Sequence, residues 1–481
     1  MKSNSIVSSL FWKFLERGGT QITQFIVSII IARLLLPNDY GAVALLMIFI
    51  SIASVFVQSG LNTALIQKKD ADEVDFSSVF IYSIGLASII YMCLFLAAEW
   101  IEHFYKIKGL ALLFRVLALT LFPGALNAIQ VAAMSKEMQF KKQFYSSIIA
   151  CLLSGSLGIL MAYNGYGAWA LVAQQISSQI TGCVVLWILV DWRPQLLFSF
   201  QRTKCLLTYG FKLLGANLID TIYHNMESLI IGKMFTPATL AYCNKGKMFP
   251  LTLINNIDGS IQSVMLPAYS AQQEDDLALK NLLRKTISLS TYLVFPAMTL
   301  LAAMGTPIVY LFLGNNWLEC VPYLQLFCFI AMVLPLQTAN LQAINALGRS
   351  EIYLKLMAYK RFFGFILLVA SIFIYRSPFS VVAAALLIEI ISVGINIPFN
   401  KKILNYSFGE MMMDILPNFL NSIIVGGACF SMVYICDSYI ILLFAQLLIG
   451  LSLYLLLSFV TNNRSFIYVK SLIISKIKNK S

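Results

Sequence analysis

The 481-residue chain is 59% apolar and only 12% charged, with a mean hydropathy of +0.80, which excludes an ordinary soluble domain. Its net charge of +12 is spread over short basic clusters between apolar segments, so no basic domain for nucleic acid is formed. The nine cysteines contain no Cys-x-x-Cys pair and fall mostly in apolar segments, giving neither a zinc site nor a disulfide framework.

A spanning helix takes roughly 20 mainly apolar residues, so the pattern predicts an all-α polytopic membrane protein of about fourteen transmembrane helices. In chain order the predicted spans are 8–33, 40–64, 76–98, 110–133, 144–163, 167–190, 206–235, 238–267, 286–305, 317–346, 353–374, 377–400, 413–435 and 438–461. Met1 to Ser9 has no marked basic n-region and no Ala-x-Ala-like cleavage site, so the first helix is expected to be retained. Lys68, Lys136, Arg202, Lys280, Arg284, Lys285, Arg349, Lys401 and the basic tail from Arg464 collect on one side. By the positive-inside rule that side is cytoplasmic, which places both termini inside. The tail's Lys470, Lys476, Lys478 and Lys480 are expected on anionic headgroups.

The chain repeats itself. Ile31 to Pro37 aligns with Ile231 to Pro237, and Pro123 with Asn127-Ala128-Ile129-Gln130 aligns with Pro335 and Ala339-Asn340-Leu341-Gln342. Duplication of a six-helix unit is the expected cause, and it is common in transporters that alternate access around a central site. It divides the chain into an N-terminal lobe, 1–205, a C-terminal lobe, 206–408, and two additional helices with a basic tail, 409–481.

Ala32 to Gly41, with its Arg-Leu-Leu-Leu-Pro-Asn-Asp-Tyr-Gly run, resembles the opening signature of the Wzx-type polysaccharide flippases of the multidrug/oligosaccharidyl-lipid/polysaccharide superfamily. Tyr166 to Val172, Leu186-Trp187, Trp192-Arg193-Pro194, Tyr209-Gly210, Leu229 to Lys233 and Met265 to Ser270 extend the likeness to about residue 400. The resemblance implies two six-helix lobes around a central cavity. It also implies movement of a lipid-linked saccharide across the bacterial cytoplasmic membrane, with polysaccharide polymerase and chain-length machinery as partners.

Ionisable groups at membrane depth are costly and point to a cavity or an internal pair. On the seventh predicted helix, Asn217, Asp220, His224 and Glu227 fall on one stripe; on the first, Lys13, Arg17, Gln21, Gln24 and Ser28 form another, with Glu16 beside it. The repeat register sets Arg17 against Asn217 and Gln24 against His224, so both stripes are expected to face one cavity. The eighth helix adds Lys245 and Lys247, then Pro250, then Asn255 and Asp258. For a lipid diphosphate, Arg17 can pair through two charge-assisted hydrogen bonds, Lys245 and Lys247 can add charge, and Gln21, Gln24, Asn217 and Asn255 suit sugar hydroxyls. Arg17 can equally pair with Glu16, and each lysine can snorkel to the surface. Asp220, His224, Glu227 and Asp258 are the candidates for ion coupling, with Glu389 and Arg115 read as structural.

No phosphate-binding Gly-x-x-x-x-Gly-Lys loop occurs, so no nucleotide cofactor is expected and Na⁺ or H⁺ is the expected coupling ion. The reading is a flippase for an undecaprenyl-diphosphate-linked oligosaccharide and not an enzyme. A cation antiporter of the same superfamily is its nearest rival. A polysaccharide polymerase or ligase is disfavoured because the outer loops are short and hold a single His103.

Overall fold

The computed structural model describes residues 3–58, 64–66, 68, 71–137, 139–195 and 197–478. The chain divides into two units, Met1–Ala241 and Tyr242–Ser481. The first contains α1 (Ser3–Leu34), α2 (Pro37–Gln58), α3 (Glu73–Tyr105), α4 (Leu110–Ala118), α5 (Leu121–Lys136), α6 (Phe140–Tyr163), α7 (Ala168–Leu189) and α8 (Phe200–Met234). A long helix, α9 (Pro237–Ser270), begins in the first unit and continues into the second. The second unit goes on with α10 (Asp276–Ala303), α11 (Gly305–Phe312), a 3₁₀ turn (Asn315–Cys320), α12 (Val321–Ala346), α13 (Ser350–Tyr375), α14 (Pro378–Leu404), α15 (Phe408–Ser431), α16 (Tyr439–Val460) and α17 (Arg464–Lys478).

Each predicted span coincides with a helix over its described residues; residues 59–63 of the second lie outside them, and the fourth is split into α4 and α5 by a turn at Leu119 and Thr120. The protein is therefore an all-α, multi-pass membrane protein. Among the described residues, 11 helices are long and apolar enough to cross a bilayer. Outside that set stand α1, α8 and α9, which are 32, 35 and 34 residues long. Of α1, only Gly18–Leu34 reads as apolar. The long helices too polar for the criterion are those that carry the predicted polar stripes, which is what a helix lining an aqueous cavity requires.

In the first unit α6 packs on both α1 and α7, and α8 lies against α2 and α3. The residues of the Asn38-Asp39-Tyr40-Gly41 run build this corner. Pro37 opens α2, where a missing N–H costs nothing. Asp39 accepts a hydrogen bond from the Ala168 backbone and so caps α7 from a different helix. Gly167 beside it takes φ 55°, and a Cβ there would stand 3.3 Å from the Asp39 carboxylate. Tyr40 donates to the Ser28 carbonyl at 3.2 Å.

The Trp192-Arg193-Pro194 run forms a strap that binds the start of α8 to α3. Trp192 Nε1 donates to Glu73 at 3.1 Å, while the Gln195 and Ser199 N–H groups donate to Ser77 and Ser78 at 3.0 and 2.9 Å. Asp72 closes a capping box with Asp75 at the start of α3, and Arg202 on α8 pairs with the Asp72 carboxylate at 2.5 Å. These ties explain why α8, the first helix after the strap, packs within the first unit.

In the second unit α10 is the innermost helix and touches α12, α15 and α16. The two C-terminal spans are tied to it by buried polar bonds. Asn418 Nδ2 on α15 donates to Ser288 O and Thr291 Oγ1, both at 2.9 Å, and Tyr454 on α16 donates to Tyr292 O at 2.9 Å. Arg284 makes a two-pronged pair with Asp414, 2.8 Å on each arm, and Lys280 reaches Glu410 at 2.8 Å.

Candidate functional site

On α8 the backbone carries Asn217, Asp220, His224 and Glu227 along one face, as 3.6-residue periodicity demands. The structure brings one pair of these together: His224 Nε2 stands 3.5 Å from Asp220 Oδ2, with side chains 64% and 55% exposed. Asn217 is exposed as well and Glu227 is half-buried. Hydrocarbon cannot satisfy such groups.

On α1, Gln21 is half-buried and Gln24 exposed. The Arg17 side chain lies outside the described part of the structure. Lys13 and Glu16 are engaged locally: they pair with each other at 2.9 Å, Lys13 donates to Gln143 at 3.0 Å, and Glu16 accepts from Ser147 at 3.4 Å, both on α6. The N-terminal end of the α1 stripe therefore fastens α1 to α6.

Along α9, Lys245 is 5% exposed and its ammonium lies 5.9 Å from the Trp317 ring centre. Lys247 stands 5.5 Å from the Phe327 ring. Between them Gly246 permits close approach to α12, where a Cβ would fall 2.8 Å from the Leu324 nitrogen. Pro250 and Pro267 lie inside the helix, and Asn255 is exposed. Asp258 is half-buried; Oδ2 accepts from Thr338 at 2.8 Å and from Gln262 at 3.4 Å, whereas its buried Oδ1 has no hydrogen-bond partner.

One cluster was not assembled from sequence. Lys360 on α13, 7% exposed, donates to Gln337 Oε1 on α12 at 2.7 Å, and Gln337 Nε2 donates to Glu389 Oε2 on α14 at 2.5 Å. The amide thus links a buried cation to a carboxylate through two charge-assisted bonds. Next to it Asn400 donates to Asn340 at 2.8 Å. The sequence presents Glu389 singly, as a structural group; the signal it offers for the cluster is Lys360-Arg361 in the middle of a predicted span. Arg115, also read as structural, pairs with Glu99 at 2.8 Å.

Among the described residues no group of His, Cys, Asp and Glu could hold a metal ion. Comparison with known proteins agrees in fold. The lipid II flippase MurJ in an inward closed conformation superposes with a TM-score of 0.78 over 96% of this chain and 100% of that chain, at 16% identity. An inward-facing multidrug resistance MATE family transporter gives 0.60 over 80% and 94%, at 14% identity.

By sequence, the succinoglycan biosynthesis transport protein ExoT of Rhizobium meliloti is 22% identical over 73% of this chain and 71% of its own. The lipopolysaccharide biosynthesis protein WzxC of Escherichia coli is 22% identical over 69% and 68%. Residues 30–322 match the family described as polysaccharide biosynthesis protein, and that stretch holds the Asp39 corner, the strap and both polar helices, α8 and α9. The chain is a multi-pass membrane protein and belongs to the polysaccharide biosynthesis protein family.

Proposed function

We propose that this protein is a flippase that carries an undecaprenyl-diphosphate-linked oligosaccharide from the cytoplasmic to the outer leaflet by ion-coupled alternating access. The observation that carries the reading is the exposed Asp220–His224 pair at 3.5 Å on a helix that packs against the apolar spans α2 and α3. Arg17 holds the diphosphate, with Lys245 and Lys247 adding positive charge. Gln21, Gln24, Asn217 and Asn255 receive sugar hydroxyls, and the polyprenyl tail stays in lipid. Asp220, with His224, Glu227 and Asp258, takes up Na⁺ or H⁺ and changes the affinity of the path for the anionic head. The lobes are 1–205 and 206–408, both termini are cytoplasmic, and a polymerase with its chain-length machinery receives the product. The family membership, together with two relatives named for polysaccharide biosynthesis, supports this over a drug antiporter.

The test is made in a host lacking the gene and the later polymerase, by determining on which leaflet lipid-linked oligosaccharide collects. Accumulation on the cytoplasmic face, reversed by the wild-type gene and not by Arg17→Ala, is expected. Normal appearance on the outer face without the gene would refute it.

A further inference from the structure

Within the second unit, a polar cavity of about 400 Å³ opens between α10, α15 and the corner joining α16 to α17. Arg284, Ser288, Asp414, Asn418 and Arg464 line it, and a neighbouring hollow of about 310 Å³ adds Lys285 and Tyr468. This volume is in the range of small-ligand sites.

Its floor is rigid and polar. Asn418, 1% exposed, holds Ser288 and Thr291 through its amide nitrogen and accepts from Asn463 at 2.8 Å. Asn463 in turn caps the start of α17, accepting from Ser465 N at 2.9 Å and Phe466 N at 3.4 Å. The chain turns the corner at Asn462 with φ 47°, in the left-handed region that asparagine tolerates.

Charge around the cavity does not cancel. Asp414 is taken by both arms of Arg284, and Glu410 by Lys280. Lys285 is held 3.7 Å over the Tyr468 ring, and Arg464, an exposed residue, has no carboxylate partner among the described residues. Two cations therefore remain for a ligand.

The position supplies the ligand class. The apolar span α16 ends at Val460, and α17, 15 residues long and too short to cross, begins at Arg464 with basic residues distributed along it. Such a helix lies in the headgroup region. Beside the cavity, α15 exposes Met413, Leu416 and Leu420, an apolar surface on which acyl chains can rest. We propose that the cavity binds the phosphate headgroup of an anionic phospholipid, with Arg464 and Lys285 as the phosphate ligands and α15 as the seat of the acyl chains. The site is independent of the transported substrate, and it fastens the α16–α17 corner to the membrane surface.

The test is native mass spectrometry of the full chain exchanged into equimolar phosphatidylglycerol and phosphatidylcholine. The wild type is expected to retain phosphatidylglycerol preferentially, with retention falling about fivefold for each charge removed in Arg464→Gln and Lys285→Gln. Arg464→Lys restores most of it, which separates loss of charge from loss of fold, and Lys355→Gln leaves it unchanged. Equal retention of the two lipids by the wild type, or undiminished retention by the double variant, would overturn the proposal. Displacement of phosphatidylglycerol by equimolar undecaprenyl diphosphate would overturn it in favour of a substrate-entry site, and displacement by inorganic phosphate in favour of a free-anion site.

Discussion

Gly41 and Pro237 stand so close that a Cβ on Gly41 would lie 1.7 Å from the Pro237 carbonyl oxygen. The obstruction is backbone at a helix start, which cannot rotate away as a side chain would. Nearby, Gly232 allows Leu45 the same intimacy, since a Cβ there would fall 2.7 Å from Leu45 Cδ1. Gly41→Ala is therefore expected to destabilise the protein by about 1–3 kcal/mol, an overpacking cost, whereas Gly232→Ala is relieved by movement of the leucine tip and costs less. Thermal unfolding in detergent orders the two; a Gly41→Ala protein as stable as the wild type would contradict the geometry.

Replacing Asp220 with Asn keeps the shape of the side chain, exchanges one acceptor oxygen for an NH2 donor and removes the charge. If Asp220 takes up the ion, transport loses its dependence on the Na⁺ or H⁺ gradient while the protein still folds, because the side chain is more than half exposed. Leaflet accumulation measured with and without the gradient decides this. Unchanged ion dependence in Asp220→Asn would remove Asp220 from the coupling step.

The Lys360–Gln337–Glu389 chain makes a prediction through a mutant cycle. Gln337→Leu leaves Lys360 buried without its acceptor and is expected to cost about 3–5 kcal/mol. Lys360→Met together with Gln337→Leu and Glu389→Gln removes the charges as a set and recovers most of that loss. Comparison of unfolding midpoints reads the coupling, and additive losses would mean that the three side chains act separately.

Asn418, itself buried, ties α15 to α10 and to the α16–α17 corner through three side-chain hydrogen bonds. Asn418→Ala leaves the Asn463 amide nitrogen without its acceptor, at about 1–3 kcal/mol, while the Ser288 carbonyl keeps the Ser465 hydroxyl at 3.2 Å. The expected result is earlier proteolysis of α16 and α17 than of the rest of the chain, and Asn418→Asp does not rescue it, because a carboxylate cannot donate to the Ser288 carbonyl.

The strap contributes a pH signature. The Arg202 guanidinium beside Asp72, together with the Asp75 N–H, pulls the Asp72 carboxyl down to about 2. A carboxyl lowered in the folded state adds stability that is complete above its unfolded value, about 4. That contribution fades as pH falls from about 4 through 2. The midpoint difference between wild type and Arg202→Gln is thus expected to be constant from pH 8 to pH 5 and to shrink below pH 4. A difference that grows on acidification would give the pair the wrong sign.

Hydropathy alone determined the helices and their order, because a bilayer demands a long apolar run for every crossing and the demand is met within one segment at a time. The stripe of Asn217, Asp220 and His224 was legible for the same reason: helical spacing is a local property. Even the Asn-Asp-Tyr-Gly and Trp-Arg-Pro runs could be recognised, though their work as a cap on α7 and a strap on α3 could not, since Asp39 meets Ala168 and Arg202 meets Asp72 only after distant helices pack. Lys360, Gln337 and Glu389 lie on three helices, and no periodicity relates them. The lining of the α10–α15–α17 cavity likewise joins Arg284 to Arg464 across most of the second unit. Tertiary structure decided these partners because a buried charge is satisfied by whatever side chain folding brings within about 3 Å, and sequence order carries no record of that distance.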